Sequence, residues 1–220
     1  MNILVVGGYK TSDFLLKSLS EKNHKITFIH YDYSYCRNIS RKYNIPVICG
    51  DGSKSYILED ASINKSDIVI AITNKDSDNL VICQLAKKVY GVKKAFAIVS
   101  DPKNVEVFKK LGVDIAISST YIVSGMIEQI ATIDEINSCI PINDGTISIM
   151  EIIVKENYPI CRKFIRDIEF SDRSIIGCII RGSNTIIPKG DTKILLEDKL
   201  IILSPPEAQK NVIRSIIGGE

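Results

Sequence analysis

The chain opens on Met1-Asn2-Ile3-Leu4-Val5-Val6-Gly7-Gly8-Tyr9-Lys10-Thr11-Ser12 and runs at once into the helical pattern Asp13-Phe14-Leu15-Leu16-Lys17-Ser18-Leu19. An apolar strand, a glycine turn and a helix in that order form the start of a nucleotide-binding βαβ unit. This constrains the fold more than any other stretch, because a parallel strand can follow only after a crossover helix. The Gly-x-Gly-x-x-Gly fingerprint is nevertheless broken. Counting from Gly7, its second and third glycine positions hold Tyr9 and Ser12.

The first half continues the alternation. Strands are expected at 2–6, 25–30, 46–49, 67–72, 94–99 and 114–117, with helices near 12–22, 33–43, 54–60, 76–90 and 102–111. The strands are nearly continuous apolar runs, the pattern of parallel strands buried on both faces. Asn74 and Asp76 stand where a helix needs a cap, Gly91 and Gly112 where helices close, and Pro102 in a first turn. The expectation is a Rossmann-like, doubly wound α/β sheet. A longer helix over 119–135 carries Ile122, Met126 and Ile130, with Val123 and Ile127 beside them. That stripe either covers the sheet or serves a partner subunit.

Pro141-Ile142-Asn143-Asp144-Gly145 reads as a linker, after which the pattern changes. A strand is expected at 146–154, a short helix at 164–168, a hairpin from 174–180 and 185–187, a strand at 199–203 and a helix at 206–217. The division proposed is a Rossmann-like domain over 1–135, including the long helix, and a small α+β domain over 136–220. The small domain is near the lower size limit for independent stability, so it is expected to pack on another surface or on a copy of itself.

Composition excludes several classes. Of 220 residues, 28 are Lys or Arg and 26 Asp or Glu, a net charge of +2 that offers no nucleic-acid footprint. Strand-like sequence from residue 2 leaves no room for a signal peptide, and the longest apolar runs are too short to cross a bilayer. A cytoplasmic protein is expected, with no direct membrane insertion. The cysteines at 36, 49, 83, 139, 161 and 178 form no Cys-x-x-Cys pair, and only His24 and His30 accompany them, so no metal site is expected. Most of the cysteines read as small core residues.

The candidate site lies at the carboxyl ends of the strands, where doubly wound sheets bind ligands. Gly7 and Gly8 permit close approach of a phosphate to helix N-terminal amides. Tyr9 obstructs that approach, while Lys10, Thr11 and Ser12 offer direct phosphate contacts. The turn is thus either a modified cofactor loop or one that has lost its ligand. His30 stands where a ribose-binding acid normally sits, and Asp32 substitutes only if the chain turns inward. His30 is then either a hydrogen-bond or stacking partner for a ligand or a polar strand end. Gly50-Asp51-Gly52-Ser53 and Ala71-Ile72-Thr73-Asn74 end the third and fourth strands. Asp51 is placed to accept from an adenine amino group, and Thr73 and Asn74 to line the phosphate or ribose side. The alternatives are a common Asp-Gly turn and a common helix cap. No Ser-x-x-x-Lys, His–Asp or Cys–His arrangement is placed for catalysis, which argues against a dehydrogenase.

The order of these motifs resembles the Trk/Ktr-type potassium-uptake regulatory subunits, built from an RCK N-domain and an RCK C-domain. The segments that carry the resemblance begin with Gly50-Asp51-Gly52-Ser53, Ala71-Ile72-Thr73-Asn74 and Asp78-Asn79-Leu80, followed by Ile82-Cys83-Gln84-Leu85-Ala86-Lys87. Ser100-Asp101-Pro102 and Phe108-Lys109-Lys110-Leu111-Gly112-Val113-Asp114 come next, then Ile187-Pro188-Lys189-Gly190-Asp191-Thr192 and Glu197-Asp198-Lys199-Leu200. The resemblance covers essentially the whole chain. It implies a non-enzymatic gating-ring subunit held at the inner face of the membrane by a potassium transporter or channel. Implied with it are N-domain dimers in an octameric ring, and ATP, ADP, AMP or NAD(H) as regulatory ligand at Gly7 to Ser12, His30, Asp32, Asp51, Gly52, Ala71, Thr73 and Asn74. The C-domains of such subunits pair, and some bind cyclic di-AMP there. Tyr9 and Ser12 replace family glycines, His30 replaces the family acid, and Ile98 replaces a frequent arginine. These departures suggest the atypical member of a mixed ring. The competing expectations are an NAD(P)-dependent oxidoreductase and a structural ring subunit that binds no nucleotide.

Overall fold

The computed structural model describes residues 1–132, 136, 138–142, 145–170 and 172–218, and divides them into two compact units, Met1–Tyr121 and Ile122–Glu220. In the first unit the strands are β1 (Asn2–Val6), β2 (Lys25–His30), β3 (Val47–Cys49), β4 (Ile68–Ala71), β5 (Lys94–Val99) and β6 (Ile115–Ser118). Between them run α1 (Lys10–Glu21), α2 (Tyr33–Lys42), α3 (Ser55–Asp60), α4 (Asp76–Gln84) and α5 (Asn104–Lys110). All six strands are parallel, in the order β3-β2-β1-β4-β5-β6. The chain winds outward from β1 to β3, returns to β4 on the other side of β1, and winds outward again to β6. The reversal between β1 and β4 is the topological switch point of a doubly wound sheet.

Strand pleating explains why both faces need apolar residues. Ile3 and Val5 point to one side with Ile26 and Phe28, where Leu16 of α1 and Ile39 of α2 cover them. Leu4 and Val6 point to the other with Val69, Ala71, Ala95 and Ala97, under Leu58, Ile82, Cys83 and Phe108 from α3, α4 and α5. β1, β2, β4 and β5 are thereby covered on both faces, which is why their sequences show runs and not alternation, whereas the edge strand β6 leaves Ile115 and Ile117 exposed.

Three helix details differ from expectation. The helix expected over 76–90 is α4 followed by one π turn, Leu85–Val89, in which the Tyr90 amide donates to Leu85 O, before Gly91 takes φ +66°. Asp76 does not cap α4. Its carboxylate accepts from the amides of Ser100 and Asp101 at 2.7 and 3.1 Å and from Asn104 Nδ2 at 2.9 Å, tying α4 to the loop before α5. Pro102 precedes α5, whose first residue is Asn104.

The helix α6 (Ser119–Thr132) carries the expected stripe, and Val123 and Ile127 in it are 53% and 61% exposed. The Ile130 side chain and residues 133–135 lie outside the described residues. In the second unit β7 (Ser138–Ile142), β8 (Ile147–Ile153), β9 (Ile175–Arg181), β10 (Asn184–Ile186) and β11 (Lys199–Ser204) form an antiparallel sheet, order β10-β9-β11-β8-β7. Helix α7 (Pro206–Ile217) packs Val212, Ile213 and Ile216 against it. The linker reading of Pro141 and Ile142 is corrected: they belong to β7 and pair with Ser148 and Ile147. An edge strand tolerates a proline because the missing N–H faces outward. Asn143 and Asp144 lie outside the described residues. Arg181 grips the fully buried Asp198 through two 2.8 Å bonds, and the Leu195 amide supplies a third. No helix among the described residues is long and apolar enough to cross a membrane.

Candidate functional site

The turn after β1 is built by close packing. Gly7 and Gly8 take φ +81° and +73°, which L side chains rarely adopt. A Cβ on Gly7 would lie 2.6 Å from Thr73 Cγ2 and 2.8 Å from Thr73 Cα, so the turn presses directly on the end of β4. Gly52 approaches Val6 in the same way, where a Cβ would meet Cγ1 at 2.3 Å.

Beyond Gly8 the turn closes on itself. The Tyr9 ring stands edge-on to His30 with centroids 4.6 Å apart and to Tyr35 at 5.0 Å, and its hydroxyl meets that of Tyr31 at 2.7 Å. The same hydroxyl donates to Asp32 Oδ2 at 3.4 Å. Its hydrogen bond to Tyr31, with burial and the Asp32 charge, pushes the Tyr9 phenol up to about 12. Ser12 is fully buried and turns its hydroxyl back onto Gly8 O at 2.9 Å and Tyr9 O at 2.8 Å, while the Tyr35 hydroxyl also donates to Tyr9 O. Ser12 therefore presents nothing to a phosphate. Lys10 and Thr11 remain exposed.

Asp32 turns toward its own helix. Its Oδ1 accepts from Tyr35 N at 3.1 Å and Ser34 Oγ at 2.7 Å as the N-cap of α2, and these bonds hold its carboxyl below the usual range. His30 is 1% exposed, and its Nδ1 accepts from the Asp32 amide at 3.0 Å. That bond assigns the proton of the neutral ring to Nε2. Nε2 is buried without a hydrogen-bond partner among the described residues. Burial lowers the His30 pKa, partly offset by the Asp32 carboxylate.

The opposite wall is polar and open. Asp51 Oδ1 accepts from Ser53 N at 2.9 Å and Ser53 Oγ at 2.8 Å. Burial raises its pKa, but these bonds and nearby Lys54 and Lys75 outweigh it, and the net direction is down. The loop after β4 is held by Asn79, which is 1% exposed. Its Oδ1 accepts from Thr73 N at 2.8 Å and Thr73 Oγ1 at 2.7 Å, and its Nδ2 donates to Thr73 O at 3.1 Å and Ile98 O at 2.9 Å.

Between these walls, at the carboxyl ends of β1, β2, β3 and β4, lies a cleft of about 470 Å³. Of the residues singled out from sequence, Gly7, His30, Asp51, Gly52, Thr73 and Asn74 line it. Gly8, Tyr9, Lys10, Thr11, Ser12, Asp32 and Ala71 do not, and Ala71 is fully buried inside β4. Tyr31, Lys75 and Asp78 line it in addition and were not foreseen. Lys75 directly follows the Thr73-Asn74 strand end, which was the available signal. Among the described residues no group of His, Cys, Asp or Glu could hold a metal ion.

Comparison with known proteins gives two domain matches, TrkA-N over residues 3–119 and TrkA-C over 149–216. The Trk system potassium uptake protein TrkA homolog of Methanothermobacter thermautotrophicus is 29% identical over 218 residues, 99% of this chain and 100% of that one. TrkA of Mycobacterium tuberculosis is 27% identical over 221 residues, covering 99% of each. The Archaeoglobus fulgidus homolog is 28% identical, and the match covers 92% of this chain and only 46% of that relative. Among solved structures, the GsuK channel aligns over 99% of this chain and 39% of its own with a TM-score of 0.70 at 18% identity. The GsuK channel bound to NAD gives 0.67 at 19%, with the same coverage. At those identities the likeness is one of fold.

Proposed function

The chain belongs to the TrkA family, with its TrkA-N and TrkA-C domains in order, and from that premise we propose that it is a regulatory gating-ring subunit of a potassium transporter or channel. It acts in the cytoplasm, peripheral to the membrane through that partner, and not as an enzyme. The single observation that carries the ligand part is the asymmetry of the cleft. Asp51, Gly52, Thr73 and Asn74 keep an open polar wall, while Tyr9, Ser12 and Asp32 are spent on internal bonds. The regulatory ligand is an adenine nucleotide (ATP, ADP or AMP) or NAD(H). Asp51 accepts from the adenine amino group, and the helix-α1 turn no longer cradles phosphate as an unmodified glycine loop would. Control follows if the ligand binds one ring shape better than another.

The same asymmetry supports a mixed ring, in which this chain is the atypical partner of a related subunit with an intact turn. We place the chain in an octameric ring built from N-domain dimers. Calorimetry with ATP, ADP, AMP, NAD and NADH, with the mass in solution measured alongside, tests both parts. The expected result is weak nucleotide binding by the chain alone and no stable homomeric ring. A stable homomeric ring with ordinary micromolar affinity for ATP or NADH would remove the basis for the mixed ring. No binding even in the assembled ring would leave a purely structural subunit, and turnover of a hydride-transfer substrate would overturn the regulatory reading.

A further inference from the structure

Cys36 and Cys49 approach the backbone where β2 and β3 end from different elements. Cys36 lies in the first turn of α2 and is buried; Cys49 ends β3 and is exposed. The Cys36 sulfur sits 3.2 Å from His30 O, the same carbonyl that accepts from the Gly50 amide at 2.9 Å, and 3.9 Å from Ile48 O. It therefore packs beside the residue before Cys49 and against His30, the strand partner of Cys49. The Cys49 sulfur lies 3.8 Å from the next carbonyl, Tyr31 O. Burial, and then the neighbouring Cys49, push the Cys36 thiol up to about 12.

We propose that Cys36 and Cys49 are a redox-modifiable dithiol that closes to a disulfide by exchange with a low-molecular-weight disulfide. Exposure sets the order of events, since the attacking thiol must be reachable. The Cys49 sulfur attacks one sulfur of the small disulfide, whose S–S bond breaks, and the first small thiol leaves with the Cys49 proton. The Cys36 sulfur then attacks the Cys49 sulfur of the mixed disulfide, and the second small thiol leaves with the Cys36 proton. Two protein thiols are oxidised to one disulfide and one small disulfide is reduced to two thiols. The bond ties the start of α2 to the end of β3, on either side of His30 and Tyr31, two of the cleft-lining residues.

The test uses the full chain, 2-hydroxyethyl disulfide under native conditions, alkylation of remaining thiols and peptide mapping. Trypsin cleaves after Lys25, Arg37, Lys42 and Lys54, so Cys36 and Cys49 fall on separate peptides. The expected product is those two peptides joined, released by reduction, with the other cysteines alkylated. In Cys36→Ser, which lacks the resolving thiol, Cys49 accumulates the hydroxyethylthio adduct. A wild-type map that stops at the Cys49 adduct, joins Cys49 to a different cysteine, or shows neither thiol modified overturns the proposal. The readout is a covalent link and is independent of whether the cleft binds a nucleotide.

Discussion

At the residue scale, the site turns on Tyr9 and His30. Tyr9 precedes the first turn of α1 and is held there by three aromatic contacts and two hydroxyl contacts. Tyr9→Gly would lose those contacts, each aromatic pair being worth about 1 kcal/mol, and would free the first amides of α1. The expected outcome is lower stability in urea with about tenfold tighter binding of ATP or ADP, equivalent to about 1.4 kcal/mol. Unchanged affinity in calorimetry would show that the ring is not what closes the turn. His30 gives a pH signature. Its folded pKa is lowered from the ordinary value of 6.5, so the neutral ring is favoured by folding. The stability it contributes is complete above that ordinary value and is lost as pH falls through the lowered one. Urea midpoints measured between about pH 7.5 and pH 5 should therefore fall more steeply for wild type than for His30→Phe.

At the scale of elements, the inner strands of the first unit were legible because cover on both faces leaves an unbroken apolar run. β1, β2 and β5 stand where the runs do, and β3, β4 and β6 within a residue of them. Cap chemistry was less legible. Asp76 looks like a helix cap in sequence, but its three partners come from residues 100, 101 and 104, which no local pattern announces. Asn79 was visible only as part of a motif, although it secures the whole loop after β4 through four hydrogen bonds. Asn79→Ala would orphan the Thr73 amide and the Ile98 carbonyl. At about 1–3 kcal/mol for each orphaned group, a loss of roughly 3 kcal/mol is expected in urea unfolding. A change below about 0.5 kcal/mol would mean that Thr73 finds other partners. β7 was missed because Pro141 reads as a linker residue, and only its position at the sheet edge makes a proline acceptable there.

At the scale of the whole molecule, two units with separate cores predict departure from two-state unfolding. Scanning calorimetry should give a van't Hoff enthalpy below the calorimetric one. Saturating ATP should raise the transition of the first unit alone, by about 2.7 kcal/mol at a hundredfold excess over Kd. Coincident shifts of both transitions would contradict an N-domain ligand that acts on one core. The sequence by itself determined the doubly wound sheet and the family, since hydrophobic period and motif order are local properties of the chain. It also located the end of the sheet at which the cleft opens, because strand ends and glycine turns are written in order. Which of the candidate residues face the cleft was decided by tertiary structure alone. Ser12, Asp32 and Tyr9 each have the chemistry to bind a nucleotide; Asp32 is claimed locally by the helix it caps, while Ser12 and Tyr9 meet neighbours brought from elsewhere in the chain, Tyr35 and the His30–Tyr31 strand end. A side chain's hydrogen bonds go to whatever folding places beside it, and that is a property of the packed sheet and its helices, not of the spacing along the chain.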